Sequence, residues 1–210
     1  MSGDPATGEW RRLARFLFEG AMLKRTWRTG YAFLGQGRES VAAHSFGMAL
    51  IGWMLARRHG GADAARVIQL CLVHDLPEAR TGDANAVHKR YVTLDEAAAV
   101  ADMTRDLPGG GEIADLLAEW RAGETVEAAL ARDADQLDML LSLKVHLDTG
   151  SPDAGRWIPH VRARLRTETG RALARAILEE NWASWWMEEL LAGGAGGASP
   201  PPGDESGGSG

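Results

Sequence analysis

The chain has 210 residues, 45% of them apolar, which is enough for one well-buried core and gives no sign of a second domain. Its formal net charge of −6 argues against a broad phosphate-tracking surface, and so against a nucleic-acid polymer as partner. A few cations placed in a cleft can still hold a small anion. The single cysteine, Cys71, has no intramolecular partner; set between Leu70 and Leu72, it reads as a small buried apolar group in a reducing compartment. The first twenty residues alternate charge and apolar side chains, and no apolar run approaches the roughly 18 residues that span a bilayer. The expectation is a cytoplasmic protein without membrane association.

Apolar residues recur at helical spacing almost throughout, and no segment reads as a strand. Trp10, Leu13, Phe16 and Leu17 mark one face of a first helix. The stretch from Ser40 to Arg58 is apolar on nearly all sides, which predicts a central helix buried by its neighbours, with His44 near its start. A third helix is expected from Asp63, a plausible N-cap, to Leu76, where Pro77 makes continuation awkward. After the turn-forming Thr81-Gly82-Asp83, a helix is predicted over Leu94 to Thr104, ended by Leu107-Pro108-Gly109-Gly110-Gly111, and another over Glu112 to Ala122. Val126 to Leu147 carries leucines at helical spacing, so Asp135 and Asp138 lie inside an otherwise apolar helix. Gly150 to Asp153 breaks it, and a last helix is expected from Val161 to Leu191. From residue 193 onward the Gly, Pro, Ser and acidic composition predicts a disordered tail.

His74 and Asp75 close an apolar helix, where an imidazole and a carboxylate can bend toward one cation. His44 lies in one buried helix and Asp135 in another, so three helices can converge four ligands on one divalent ion. Leaving such groups buried and unpaired would cost considerable desolvation energy, which favours the ligand reading. Mixed nitrogen and oxygen donors without thiolate suit Mn²⁺, Co²⁺, Fe²⁺, Ni²⁺ or Zn²⁺, while Mg²⁺ more often takes oxygen alone.

His44, His74-Asp75 and Asp135, in that order and spacing, resemble the HD-domain metal-dependent phosphohydrolases. Four runs are similar to their 5′-deoxynucleotidase branch: residues 23–31 (LKRTWRTGY), 39–45 (ESVAAHS), His74-Asp75-Leu76-Pro77-Glu78 with Thr81-Gly82-Asp83, and Asp133-Ala134-Asp135-Gln136-Leu137. The resemblance covers approximately residues 10 to 190. It implies a compact all-α HD-domain fold over residues 1–192, with a buried metal site between helices, and a homodimer. It implies hydrolysis of a (deoxy)nucleoside 5′-monophosphate to nucleoside and phosphate, with one divalent ion, Mg²⁺ included among the candidates. It assigns Glu78 and Asp83 to acid/base work and Arg28, Thr29 and Asp83 to substrate binding, with Arg28 on the phosphate. Relatives commonly carry an acidic residue before the first ligand histidine, where Ala43 stands here. Some have a Trp after the phosphate-binding Arg that crowds a 2′-hydroxyl, where this chain has Thr29, while Trp27 lies on the other side.

Other readings stay open. Asp83 could simply initiate a turn, and Asp138 could either support the ligands or be an ordinary solvated residue. Trp182, Trp185 and Trp186 could stack a base but at helical spacing read as core or subunit interface. His59, His88, His146 and His160 read as surface or structural, and Arg162-Ala163-Arg164-Leu165-Arg166 as a solvated face. The rival functions are a nucleoside triphosphate or specialised-metabolite phosphohydrolase and a catalytically inactive metal- or nucleotide-binding module. A mixed-valent diiron oxygenase would need more histidines between the HD pair and the last aspartate than His88.

Overall fold

Side-chain caps set where five of the helices begin. Ser40, Asp63, Asp95, Thr125 and Thr167 each accept a hydrogen bond from a backbone N–H in the first turn they precede, satisfying donors that the helix itself leaves free. A computed structural model describes residues 5–193. The helices are α1 (Pro5–Gly20), α2 (Val41–His59), α3 (Ala64–Val73), α4 (Glu78–Thr81), α5 (Glu96–Thr104), α6 (Gly110–Ala122), α7 (Val126–Asp148), α8 (Pro152–Ala163), α9 (Glu168–Glu179) and α10 (Ser184–Gly193), with short 3-10 segments at Ala21–Lys24, Thr29–Leu34 and His88–Arg90. The fold is all-α. Among the described residues the extended backbone contact is one isolated antiparallel bridge, Trp27 to Ser40. No helix among them is long and apolar enough to cross a membrane. The predicted tail, apart from Gly193, lies outside the described residues.

The core is built around α7. Leu130, Ala134, Leu137, Leu140 and Leu143 are fully buried against Met48 and Leu55 of α2, Val67, Leu70 and Cys71 of α3, and buried residues of α8 and α9. Each such leucine contributes about 1.5–3 kcal/mol relative to exposure. Gly52 lets α2 and α3 approach closely, since a Cβ there would lie 2.8 Å from Cys71 Sγ. A smaller cluster joins Val41, the first residue of α2, to Leu23, Leu76 and Met103.

Several boundaries differ from the sequence expectation. Helix α3 stops at Val73 instead of Leu76, because Pro77 has no N–H to give the Val73 carbonyl. The Leu76 N–H takes that carbonyl at 2.9 Å, and the chain tightens into a turn carrying His74 and Asp75. Helix α6 starts at Gly110 after Gly109 adopts φ 77°; Gly110 is pressed onto the Thr104 carbonyl, where a Cβ would not fit. Helix α2 is not buried all round: Phe46, Leu50, Trp53 and Met54 are exposed on its outer face. Likewise Trp10 and Leu17 of α1 are exposed, while Leu13 and Phe16 are half-buried.

The largest difference is the single terminal helix expected over Val161 to Leu191, which is three helices, the first already open at Pro152. The break between α8 and α9 is organised by Asp133, wholly buried on α7, whose carboxylate accepts from the Arg166 N–H at 2.7 Å, the Thr167 N–H at 2.9 Å and the Thr167 hydroxyl at 2.6 Å. Gly170 makes room for it, since a Cβ there would lie 2.3 Å from Asp133 Oδ2. Substituting Asp133→Ala strands buried donors and should destabilise the fold by on the order of 3 kcal/mol, read as a lowered urea midpoint.

Candidate metal centre and phosphate cradle

The turn that ends α3 aims the HD pair. The Cys71 carbonyl lies 2.9 Å from His74 Nδ1, which fixes the proton on Nδ1 and turns Nε2 toward Asp75, whose Oδ2 is 2.9 Å away. His74 is buried and packs its ring on Trp120 at 4.8 Å between centroids.

His44, in the first turn of α2, is wholly buried. Its Nδ1 lies 2.7 Å from Asp138 Oδ2, a carboxylate that can only accept, so the ring proton sits on that side. Its Nε2 has no hydrogen-bond partner, although Asp135 Oδ1 stands at 3.2 Å and Asp75 Oδ2 at 3.9 Å. A lone pair facing two carboxylates is repulsive unless a proton or a metal cation stands among them. One donor atom each from His44, His74 and Asp75 lie within 4.8 Å of one another, and Asp135 adds an oxygen beside His44. That donor set fits a divalent ion of the kind that accepts mixed imidazole and carboxylate ligands.

Asp138 reaches His44 because Gly47, on the next turn of α2, has no side chain: a Cβ there would stand 2.2 Å from Asp138 Oδ1. The carboxylate behind the first histidine therefore comes from α7, and the position before His44 is not its source, since Ala43 is exposed. Asp138 holds the His44 ring; it is not a solvated residue.

Arg28 is brought to the same place by the backbone bridge. The Arg28 N–H donates to the Glu39 carbonyl at 2.9 Å and the Val41 N–H to the Thr26 carbonyl at 2.9 Å, tying the arginine strand to the start of α2. Arg28 Nη1 donates to Glu39 Oε2 at 2.9 Å, lies 3.6 Å from Asp138 Oδ2 and touches His44 Nδ1 at 2.9 Å. Glu39, His44 and Asp138 also form a cluster with metal-ligand spacing, but the Arg28 guanidinium already neutralises it. Burial disfavours the Arg28 charge, yet Asp135, Glu39 and Asp138 outweigh it and keep the guanidinium firmly protonated. The Tyr31 hydroxyl completes the set, hydrogen-bonded to Glu39 at 3.1 Å and Ser142 at 2.9 Å.

Arg28, His74, Asp75, Glu78, Asp83 and Asp135 share the wall of one cavity of about 610 Å³, a size typical of small-molecule sites. Asp83 accepts from both the backbone N–H and the hydroxyl of Thr29, so Thr29 meets the cavity through Asp83. Trp27 is turned aside and stacks under Arg38 at 4.5 Å.

Residues 20–176 match the HD domain family model. The chain is 32% identical over 154 residues to the 5′-deoxynucleotidase HDDC2 of Bos taurus, covering 70% of this chain and 72% of that protein. The chain belongs to the HD-domain family of metal-dependent phosphohydrolases. The HDDC2 protein of Xenopus laevis is 33% identical over 137 residues, covering 62% of this chain and 67% of its own. Two solved structures share the HD-domain fold. A conserved hypothetical protein of Pyrococcus furiosus has a TM-score of 0.67 at 23% identity, covering 80% of this chain and 99% of its own. A protein of Magnetospirillum magnetotacticum described as a predicted metal-dependent phosphohydrolase has a TM-score of 0.62 at 24% identity, covering 82% and 95%.

In this HD-domain site charge and burial oppose each other. Burial would raise the Asp135 carboxyl, but His44, His74 and Arg28 hold it well below the usual carboxylate range. Burial disfavours the His44 imidazolium, yet the Asp135 and Asp138 carboxylates lift it from 6.5 to about 9. Burial together with the charges of Asp75 and Asp83 pushes the Glu78 carboxyl from 4.5 up to about 9, and its Oε2 is buried without a partner. Both groups therefore bind more protons folded than unfolded between pH 6.5 and 9, so metal-free protein should lose stability as pH rises through that window. Thermal melts across that range test this; a flat profile contradicts it, and added Mn²⁺, which takes the place of the His44 proton, should flatten the slope. A second test concerns the packing behind His44: Gly47→Ala, which displaces Asp138, should weaken Mn²⁺ binding by roughly 10–100-fold in calorimetric titration.

Proposed function

We propose that this HD-domain phosphohydrolase is a 5′-deoxynucleotidase that cleaves a nucleoside 5′-monophosphate to nucleoside and inorganic phosphate. The observation that carries the reading is the shared cavity. Three residues of the four-residue metal cage, His74, Asp75 and Asp135, face one volume sized for a small molecule together with the charged, half-buried Arg28 and the Glu78 carboxyl, and His44 stands directly behind Asp135. The names of the similar proteins support the deoxy preference; Thr29 is engaged by Asp83 and Trp27 by Arg38.

His44, His74, Asp75 and Asp135 would hold one divalent ion, of Mn, Co, Fe, Ni, Zn or Mg. When bound, such an ion supplies Lewis-acid polarisation of the phosphoryl group. Arg28 presents its guanidinium to the phosphate oxygens, its Nη1 anchored by Glu39 so that the plane is set before substrate arrives. Asp83, with Oδ2 fixed by Thr29, accepts a proton from the attacking water through its remaining oxygen. Glu78, its carboxyl raised by burial and by the charges of Asp75 and Asp83, donates its proton to the 5′-oxygen as the P–O bond breaks. The reading includes a homodimer in the cytoplasm, for which the apolar side chains exposed on α2 and α10 are candidate faces.

The test is phosphate release from ribo- and deoxyribonucleoside monophosphates by metal-stripped protein resupplied with Mn²⁺, Co²⁺ or Mg²⁺. Metal-dependent release, faster from the deoxy series, is the expected outcome. Release of triphosphate from nucleoside triphosphates, or no release from any nucleotide, would overturn it. Glu78→Gln should lower kcat by roughly 10²–10⁴-fold with metal binding retained.

A further inference from the structure

The cavity has a second end that the phosphate chemistry does not use. Beyond the ligand and acid/base residues its walls include Phe33 from the 3-10 segment Thr29–Leu34, Met139 from α7, and Trp157 and Val161 from α8. Met139 follows Asp135 by one turn of α7, about 6 Å along the axis, so this apolar end begins one helical turn from the metal cage. Phe33 and Trp157 face each other with centroids 6.4 Å apart and planes at 48°. Phe33 is 45% exposed and Trp157 half-buried, so each shows ring surface not covered by the core.

We infer that this aromatic wall is the nucleobase subsite, with the base stacked on Trp157 and flanked by Phe33 while the phosphate occupies the metal end. The inference rests on the nucleotidase reading above and adds where the base lies and how it is recognised. Nearby polar side chains, His160 on α8 and Arg164 just past its end, line the cavity but are exposed. Gln136 also lines the cavity, its amide donating to Asp135 at 2.8 Å; the aromatic end itself offers ring surface, so recognition there runs through the π-face, which every base offers and purines offer most broadly. Affinity should therefore follow ring size more than hydrogen-bond pattern. The terminal tryptophans have no part in it: Trp182 and Trp185 border a separate groove with Leu141 and Lys144.

The experiment compares KM for dAMP, dCMP and 2-deoxyribose 5-phosphate, which has no base, in the wild type, Trp157→Ala and Trp157→Phe, each with Mn²⁺ stoichiometry confirmed. Wild type should bind dAMP more tightly than dCMP, and both more tightly than the base-free ester. In Trp157→Ala the KM for dAMP should rise roughly 10–100-fold with kcat little changed, collapsing its advantage over the base-free ester, and Trp157→Phe should restore most of it. An unchanged dAMP-to-ester KM ratio in Trp157→Ala, with wild type still hydrolysing dAMP, overturns the subsite and leaves the nucleotidase reading standing. Hydrolysis of the base-free ester but of neither nucleotide by wild type overturns both.

Discussion

Asp138 is a buried carboxylate on α7 that lies 2.7 Å from His44 Nδ1 and 3.6 Å from Arg28 Nη1, and it gets there because Gly47 leaves a Cβ-sized space in α2. Most of the site depends on that contact. It holds the His44 proton away from the cavity and leaves Nε2 free to act as a ligand. It shares the Arg28 charge with Glu39, so the guanidinium stays in place without a bound anion. Burying an ionised carboxylate is costly unless charge partners and hydrogen bonds surround it, and here an imidazole and a guanidinium do so together.

The same logic governs the cavity as a whole. Asp75, Asp135 and Asp83 put several negative charges in a confined space, balanced by Arg28 and by whatever cation the histidines help to hold. Glu78 is the group that yields: pressed by burial and by Asp75 and Asp83, it keeps its proton. An excess of carboxylates thus yields both a cation cage and a neutral acid, with the two roles separated by environment.

Much of this was legible in the sequence. The all-α class, the length of α7 and the gathering of His44, His74, Asp75 and Asp135 followed from periodicity and from carboxylates that apolar helices do not carry idly. Periodicity could not say that the residues after Val161 form separate helices, because the break is made by Asp133 from a distant segment. It could not show that α2 has an outward apolar face, since Phe46, Leu50 and Trp53 look the same in sequence whether covered or bare. The partnership of Glu39 with Arg28 and the need for glycine at position 47 are tertiary facts. The one available sign was small and polar residues placed within a turn or two of His44.

Three carboxylates on α7 leave the helix in different directions, since residues two and three apart are turned by about 200° and 300° around the axis. Asp133 grips the start of α9, Asp135 faces the cavity and Asp138 is locked to α2. Any roll of α7 that withdrew Asp135 would tear the other two from their partners, so this helix cannot serve as a door. The segment between α4 and α5 is different in kind: it borders the cavity at Ala86 and Lys89 and is exposed from Ala86 to Thr93. The wall that α7 supplies is an anvil, pinned at three points along one helix.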